Sequence, residues 1–449
     1  MAFSKIELPH PLILLLAGVA AAAALTWILP SGAFDRRDDP TTGRRIVVAG
    51  TYHPVPRAPV GLLAAATAVP RGFVAAGEVI AVVLFVGGAW VVVDRLGTLP
   101  ALVAMLVARF RRRGLWAIPV ICLFFAAMGA LENMQEEIIP LVPVLLVLGQ
   151  GLGVDAVVVV AMSTGAAMIG SAFGPTNPFQ AGIALKLAEL PPIAGGALRL
   201  AMCVAALVMW IAWTIRYAAR NRVSPAGTTR VDARTLPAKH VLILAIALAP
   251  MVAYVYGALR LDWGFNELSG AFLLAALIAG LVGGLGLTKT VSAYLEGAAS
   301  MVSAAIMIGV ARSISLVLED GRVVDTILYG LATPLAHMPP VTAALLQIPV
   351  HGLVHLVVPS VSGQAVLTMP LFAPLADLLG LSRQVPVLAY QTGGGLAELI
   401  WPTNGPLMAV LLAAGVPYQK WIRFVIGGVL LATLLGIAGI AAVIWLHAA

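Results

Sequence analysis

Glu132-Asn133-Met134-Gln135-Glu136-Glu137 interrupts one long apolar run of the chain, and Pro359-Ser360-Val361-Ser362-Gly363-Gln364 interrupts another. Each polar stretch leads into an apolar segment rich in Pro and Leu, residues 138–148 and 365–379. A further apolar run then breaks at a shared Pro-Thr-Asn. The first break reads Gly174-Pro175-Thr176-Asn177-Pro178, the second Trp401-Pro402-Thr403-Asn404-Gly405-Pro406. Two kinds of interruption, recurring in the same order in both halves, mark an internal repeat with broken membrane segments.

The composition agrees. Hydrophobic residues make up 61% of the chain and charged residues 10%, against about 25% charged in a soluble domain. Several runs reach the roughly 20 apolar residues that cross a bilayer. The fold class is therefore an all-α polytopic membrane protein, and the lipid bilayer is its first partner. The net charge of +7 comes from Lys and Arg in loops between apolar runs, not on one face, so no nucleic-acid partner is expected. Cys122 and Cys203 sit inside apolar segments without metal-type spacing and read as packing residues. The run over residues 11–29 is longer than a signal-peptide core and lacks a clear cleavage site, so it reads as a retained first helix.

Working outward gives about nine spans and two re-entrant hairpins. Residues 1–216 form the first repeat, with a hairpin over 114–150 and a broken helix over 154–188. Residues 217–258 are a basic linker and spacer helix. Residues 259–449 form the second repeat, with a hairpin over 341–380 and a broken helix over 384–414. The simple spans fall at 11–29, 75–93, 197–215, 241–258, 270–287, 298–318 and 421–445. Residues 30–59 are too polar to span, and 61–69 too short. Segments 99–113 and 323–337 read as surface-lying arms. Four spans per repeat and a single spacer make the repeats inverted. Positive-inside counting favours a cytoplasmic N-terminus in a bacterial-type inner membrane, although the arginine-rich first loop runs against it.

Particular residues now resemble a known family. Pro9-His10-Pro11, Leu29-Pro30-Ser31-Gly32 and Gly50-Thr51-Tyr52-His53 resemble the start of YfcC-type carriers, in the C4-dicarboxylate anaerobic carrier (DcuC-like) group of the ion transporter superfamily. Glu136-Glu137-Ile138-Ile139-Pro140 and Asn177-Pro178-Phe179 are similar to that group's first-repeat signature. The run Ser360 to Pro370 and Pro402-Thr403-Asn404-Gly405 resemble the second. The likeness covers nearly the whole chain. It implies an elevator-like secondary transporter of amino acids, often basic ones, or of small carboxylates, and a homodimer. One departure is Leu131-Glu132-Asn133-Met134-Gln135, where the group more often has small residues.

The candidate site follows from the cost of polarity at bilayer depth, where an ionised carboxylate is functional by default. Glu136 and Glu137, with Asn133, top the first hairpin and suit a coupling cation or a cationic substrate group. A desolvated glutamate there also opens proton coupling. Thr176, Asn177, Thr403 and Asn404 occupy the breaks, where prolines free backbone carbonyls. Those oxygens suit Na⁺ at Asn177 and Asn404, and the following half-helix suits a carboxylate; the plainer reading is a Pro kink capped by Asn. Ser360, Ser362, Gly363 and Gln364 top the second hairpin. Gln391 and three glycines precede Glu398, a second buried carboxylate, and mark a hinge or a contact with the opposite hairpin. Arg312, mid-span, holds a substrate carboxylate or pairs with a glutamate such as Glu398. His351 and His355 share a helix face without the Glu of a metalloprotease motif, so polar packing or a proton-sensitive contact is expected there. The reading is a secondary active transporter of a small molecule, coupled to Na⁺ or H⁺, without a cofactor and not an enzyme. The rival is a cation/proton antiporter with no organic substrate.

Overall fold

A computed structural model describes residues 11–39, 44–110, 114–175, 177–191, 193–223, 236–261 and 263–448. The end of the first arm at 111–113, most of the central linker and Thr176 lie outside them.

The first half begins with α1 (Pro11–Ile28), then α2 (Leu62–Ala75), α3 (Gly77–Arg95) and α4 (Thr98–Phe110). The first hairpin is α5 (Ala117–Glu132), a 3-10 tip over Glu136–Leu141, and α6 (Val142–Leu152). The first broken helix is α7 (Ala156–Val160), a π-turn over Ala161–Gly165, and α8 (Ala166–Phe173). After the break come a π-turn over Pro178–Gly182 and α9 (Ile183–Leu187), then α10 (Gly196–Arg220). The second half holds α11 (Ala238–Arg260), α12 (Phe265–Val282), α13 (Leu287–Ser300), α14 (Val302–Asp320) and α15 (Val324–Ala332). Its hairpin is α16 (Pro340–Val357) with α17 (Val361–Leu378), its broken helix α18 (Gln384–Ala397) with α19 (Gly405–Ala413), and α20 (Tyr418–Ala448) closes the chain.

Ten segments among the described residues are long and apolar enough to span, including both arms of the second hairpin and the stretch Ala156–Leu187. The second broken helix is not among them, because its halves are each too short. One helix escaped the sequence reading: Leu287–Ser300 is an element of its own, α13, separated from α14 only at Met301. Residues 61–69 likewise belong to α2, which breaks from α3 at Ala76. The bent pair α2–α3 packs on the bent pair α13–α14 in opposite directions. A Cβ on Gly72 would meet Gly309 O at 2.3 Å, and one on Gly297 would meet Gly87 O at 2.4 Å. Rising numbers on one partner match falling numbers on the other, so the two are antiparallel. Small residues allow this approach, since lipid offers no hydrophobic drive for helices to associate.

The loop after α1 is not featureless. Gly32–Ala33 pairs with His53–Pro54, and Arg36–Asp39 with Arg44–Val47, both antiparallel. This cap is fastened to α15: Asp325 accepts from the Phe34 amide and from Arg36, each at 2.9 Å, and Tyr52 stacks on Tyr329 at 4.1 Å.

Packing divides the helices into two groups. α1, α2, α3, α12, α13 and α14 pack on one another. The hairpin arms α5, α16 and α17 pack on the broken helices α8 and α18, and α10 and α20 join them. The simple spans expected at 197–215 and 421–445 are α10 and α20. The structure ties them to the broken helices: Trp210 of α10 donates to Ala161 O at 2.9 Å, beside the π-turn, and Trp421 of α20 donates to Leu399 O at 2.8 Å.

Candidate functional site

Each half builds its part of the site by pressing a hairpin arm backbone-to-backbone on a broken helix. A Cβ on Gly129 in α5 would lie 1.9 Å from Ala167 O of α8, and one on Gly170 lies 2.0 Å from Ala126 O. In the second half a Cβ on Gly393 in α18 would lie 2.0 Å from Ile348 O of α16. The halves then cross over. The first tip, Glu136–Leu141, packs on α19 of the second break, while α17 packs on α9 and the turn after the first break. Polar stretches far apart in sequence are brought to one region by this exchange.

At the first break Asn177 is fully buried and uses its whole amide. Its oxygen accepts from the Phe179 and Gln180 amides, each at 2.9 Å, and so caps the turn that follows. Its nitrogen donates to Gly129 O at 3.0 Å and lies 3.2 Å from the Asn133 oxygen and 3.0 Å from Ser171 Oγ. Asn133 can reach there because it ends α5 in the left-handed region, at φ 60°, which Asn tolerates better than most residues. Ser171 Oγ also lies 2.9 Å from the Gln180 oxygen. Asn404 does the same work at the second break more simply, accepting from the Leu407 amide at 3.0 Å. Ser360 caps α17, accepting from the Gly363 amide at 3.2 Å. Both asparagines are thus helix caps, the plainer of the two readings.

Three carbonyls next to the breaks accept from side chains. Gln391 donates to Gly174 O at 3.2 Å, Trp421 to Leu399 O and Tyr418 to Ile400 O.

A second network joins the halves. Glu398, 4% exposed at the end of α18, accepts from the Gln135 side-chain amide at 2.9 Å. The Gln135 backbone amide donates to Glu137 at 3.1 Å. The other oxygen of Glu398 lies 4.0 Å from His355 Nε2 of α16. His355 Nδ1 lies 2.8 Å from the Gln364 oxygen, and the Gln364 nitrogen donates to His351 O at 2.8 Å. Glu132, Glu137 and Glu398 are buried and Glu136 is half-buried. Among the described residues no Lys or Arg forms an ion pair with any of the four. Several buried polar atoms around them have no partner among the described residues: Glu132 Oε2, Gln180 Nε2, Gln391 Oε1, Thr403 Oγ1 and His355 Nε2. Native proteins leave few such atoms unmatched.

Not every candidate joins. Arg312 pairs with Glu319 of its own helix at 3.3 Å, not with Glu398, and is about a third exposed. Ser362 and Gly363 are half-buried at the second tip. Thr176 lies outside the described residues. The three glycines contact their own hairpin and the first broken helix, not the opposite hairpin: a Cβ on Gly394 meets Gln364 at 2.9 Å, and one on Gly395 meets Gln180 at 2.6 Å. The sequence reading passed over Ser171, Gln180 and Gln135 as site residues. The signal for the first two was their position on either side of the break, inside an otherwise apolar helix.

Comparison with known proteins follows the same lines. The family model of the C4-dicarboxylate anaerobic carrier (DcuC) matches residues 8–447. The chain is 30% identical over 388 residues to a protein of Escherichia coli K12 named "Putative basic amino acid antiporter YfcC", covering 80% of this chain and 76% of the relative. It is 27% identical over 474 residues to an uncharacterized protein of Haemophilus influenzae, covering 93% of each. Among solved structures, the YdaH transporter of Alcanivorax borkumensis aligns at TM-score 0.44 and 18% identity, over 97% of this chain and 98% of that one. MtrF of Neisseria gonorrhoeae aligns at TM-score 0.45 and 17% identity, over 98% and 96%.

Proposed function

The chain belongs to the C4-dicarboxylate anaerobic carrier (DcuC) family, and from that premise we propose an ion-coupled secondary transporter whose cargo is an amino acid, preferentially a basic one. One observation carries the choice of cargo. Glu132, Glu136 and Glu137 of the first hairpin gather with Glu398 at the end of α18, without a Lys or Arg partner among the described residues. Each desolvated carboxylate costs several kcal/mol unless a cation meets it. An ammonium or guanidinium group of the cargo supplies that charge. Glu136 and Glu137 take the cationic group, while the unmatched Gln180, Gln391 and Thr403 atoms are positioned for the polar remainder. The name of the E. coli relative, a basic amino acid antiporter, agrees with this chemistry.

Movement is proposed to be elevator-like. The group of hairpins, broken helices, α10 and α20 is the moving body, and α1–α3 with α12–α14 is the frame, in a homodimer of the inner membrane with its N-terminus in the cytoplasm. The antiparallel bent pairs and the exchanged hairpin tips support inverted repeats, so that the same cradle can open to either side.

The test is a thermal-shift screen of purified protein with arginine, lysine, ornithine, succinate and fumarate, followed by uptake of the best binder into proteoliposomes. Stabilisation by basic amino acids, weakened by Glu136→Gln and Glu137→Gln, is expected. Stabilisation by dicarboxylates alone would reverse the choice of cargo, and a pH-gradient response to salt without any organic solute would favour the antiporter.

A further inference from the structure

The hydrogen bonds around His355 define its state. The Gln364 nitrogen must be the group nearest the His351 carbonyl, because only a donor belongs there, 2.8 Å away. The Gln364 oxygen therefore faces His355 Nδ1 at 2.8 Å, and that nitrogen carries the hydrogen. In the neutral ring Nε2 is then a bare lone pair, fully buried and without a hydrogen-bond partner among the described residues. It looks at a carboxylate oxygen of Glu398 across 4.0 Å. Two buried acceptors face each other at this distance. A single proton satisfies both, and a rotamer-sized movement of about 1 Å brings them to hydrogen-bond length.

We propose that His355 and Glu398 form a proton-binding pair that supplies the transporter's coupling ion, so that the coupling ion is H⁺. This rests on the carrier reading above. The bound proton resides on Glu398, which then donates to His355 Nε2, and no other bond changes. Na⁺ is a poor rival at this place. Hard cations favour oxygen ligands, whereas one neighbour here is an imidazole nitrogen, and Gln135 points an NH₂ group at the far side of the carboxylate. Other ionisable groups lie on the elements that pack on α16: Asp325 of α15 pairs with Arg36, Lys420 of α20 with Asp155, and His337 ends the turn before α16. Tyr390 donates to Val361 O, Asp377 of α17 pairs with Arg383, and Arg312 of α14 pairs with Glu319. His351 packs on Phe372, and Glu136 and Glu137 remain for cargo. Since Gln135 belongs to the first hairpin and His355 to the second, proton occupancy sets how firmly the two hairpins are joined through Glu398.

The measurement is infrared difference spectroscopy of the full chain in lipid nanodiscs, acidified from about pH 8 to about pH 5, the range in which imidazoles titrate. A protonated-carboxyl C=O band is expected that disappears in Glu398→Gln and whose midpoint moves in His355→Gln. A band unchanged in both variants overturns the proposal. If Glu398→Gln does not fold, the midpoint in His355→Gln decides alone. In proteoliposomes, labelled arginine is expected to follow an imposed pH gradient at least tenfold better than a Na⁺ gradient at fixed pH. Uptake driven by Na⁺ alone overturns H⁺ coupling and leaves the carrier reading intact. A titrating pair in a protein that moves none of the solutes overturns the carrier reading and not the proton site.

Discussion

At the residue scale the two break asparagines look equivalent in sequence and differ in the structure. Asn177 spends both lone pairs and both amide hydrogens on five neighbours, whereas Asn404 is held as a cap by one amide. Loss of a cap costs about 1 kcal/mol, and each buried partner left unmatched adds about 1–3 kcal/mol. Asn177→Ala is therefore expected to lower the melting temperature more than Asn404→Ala, and both are expected to abolish uptake. Equal melting shifts would contradict the network, and full uptake in both variants would remove the breaks from the site. Asparagine before a helix start, with Pro beside it, was legible as a cap from sequence. The Ser171–Gln180 bridge across the break was not, since nothing in the spacing says which polar atoms of a break turn toward one another.

Element by element, polar interruptions announced the hairpins and the broken helices, because polar backbone in lipid must be folded back into protein. What the run lengths concealed was subdivision. Residues 287–318 hold two helices with a bend at Met301, and the first, with Thr288, Lys289, Thr290, Ser292 and Glu296, is too polar to stand out as an apolar run. Close packing of arm on broken helix lies on glycines that lack any distinguishing mark in an Ala- and Gly-rich chain. A side chain at Gly170 or Gly393 would collide with a carbonyl oxygen about 2.0 Å from its Cβ, and a carbonyl cannot rotate aside as a flexible side chain can. Gly170→Val and Gly393→Val are each expected to cost at least the about 1–3 kcal/mol of an overpacked core. Gly77→Ala, where a Cβ meets nothing within 4 Å, serves as the control. Melting curves equal to that of the control would disprove the backbone contact.

For the whole molecule the proposed motion makes a mechanical demand. The moving body meets the frame where α19 crosses α14, and a Cβ on Gly405 would lie 3.2 Å from the Ala311 Cβ. That is within a few tenths of an ångström of the roughly 3.5–4.5 Å of a disulfide. With Cys122 and Cys203 replaced, Gly405→Cys/Ala311→Cys is expected to stop transport when oxidised and recover it on reduction; full transport while cross-linked would rule out sliding at this contact. Membrane residence, helical class, hairpins and breaks were determined by sequence alone, because bilayer thickness and the cost of unmatched backbone are set by local composition. Only the tertiary structure decided that α10 and α20 pack on the broken helices, that the first hairpin tip rests on α19 and the arm α17 on α9, and that Glu398 meets Gln135 and His355. Through hydrogen bonds those contacts join residues from 22 to 263 positions apart. They depend on which small residues let backbones approach and which buried polar atoms find each other, and neither has a period along the chain.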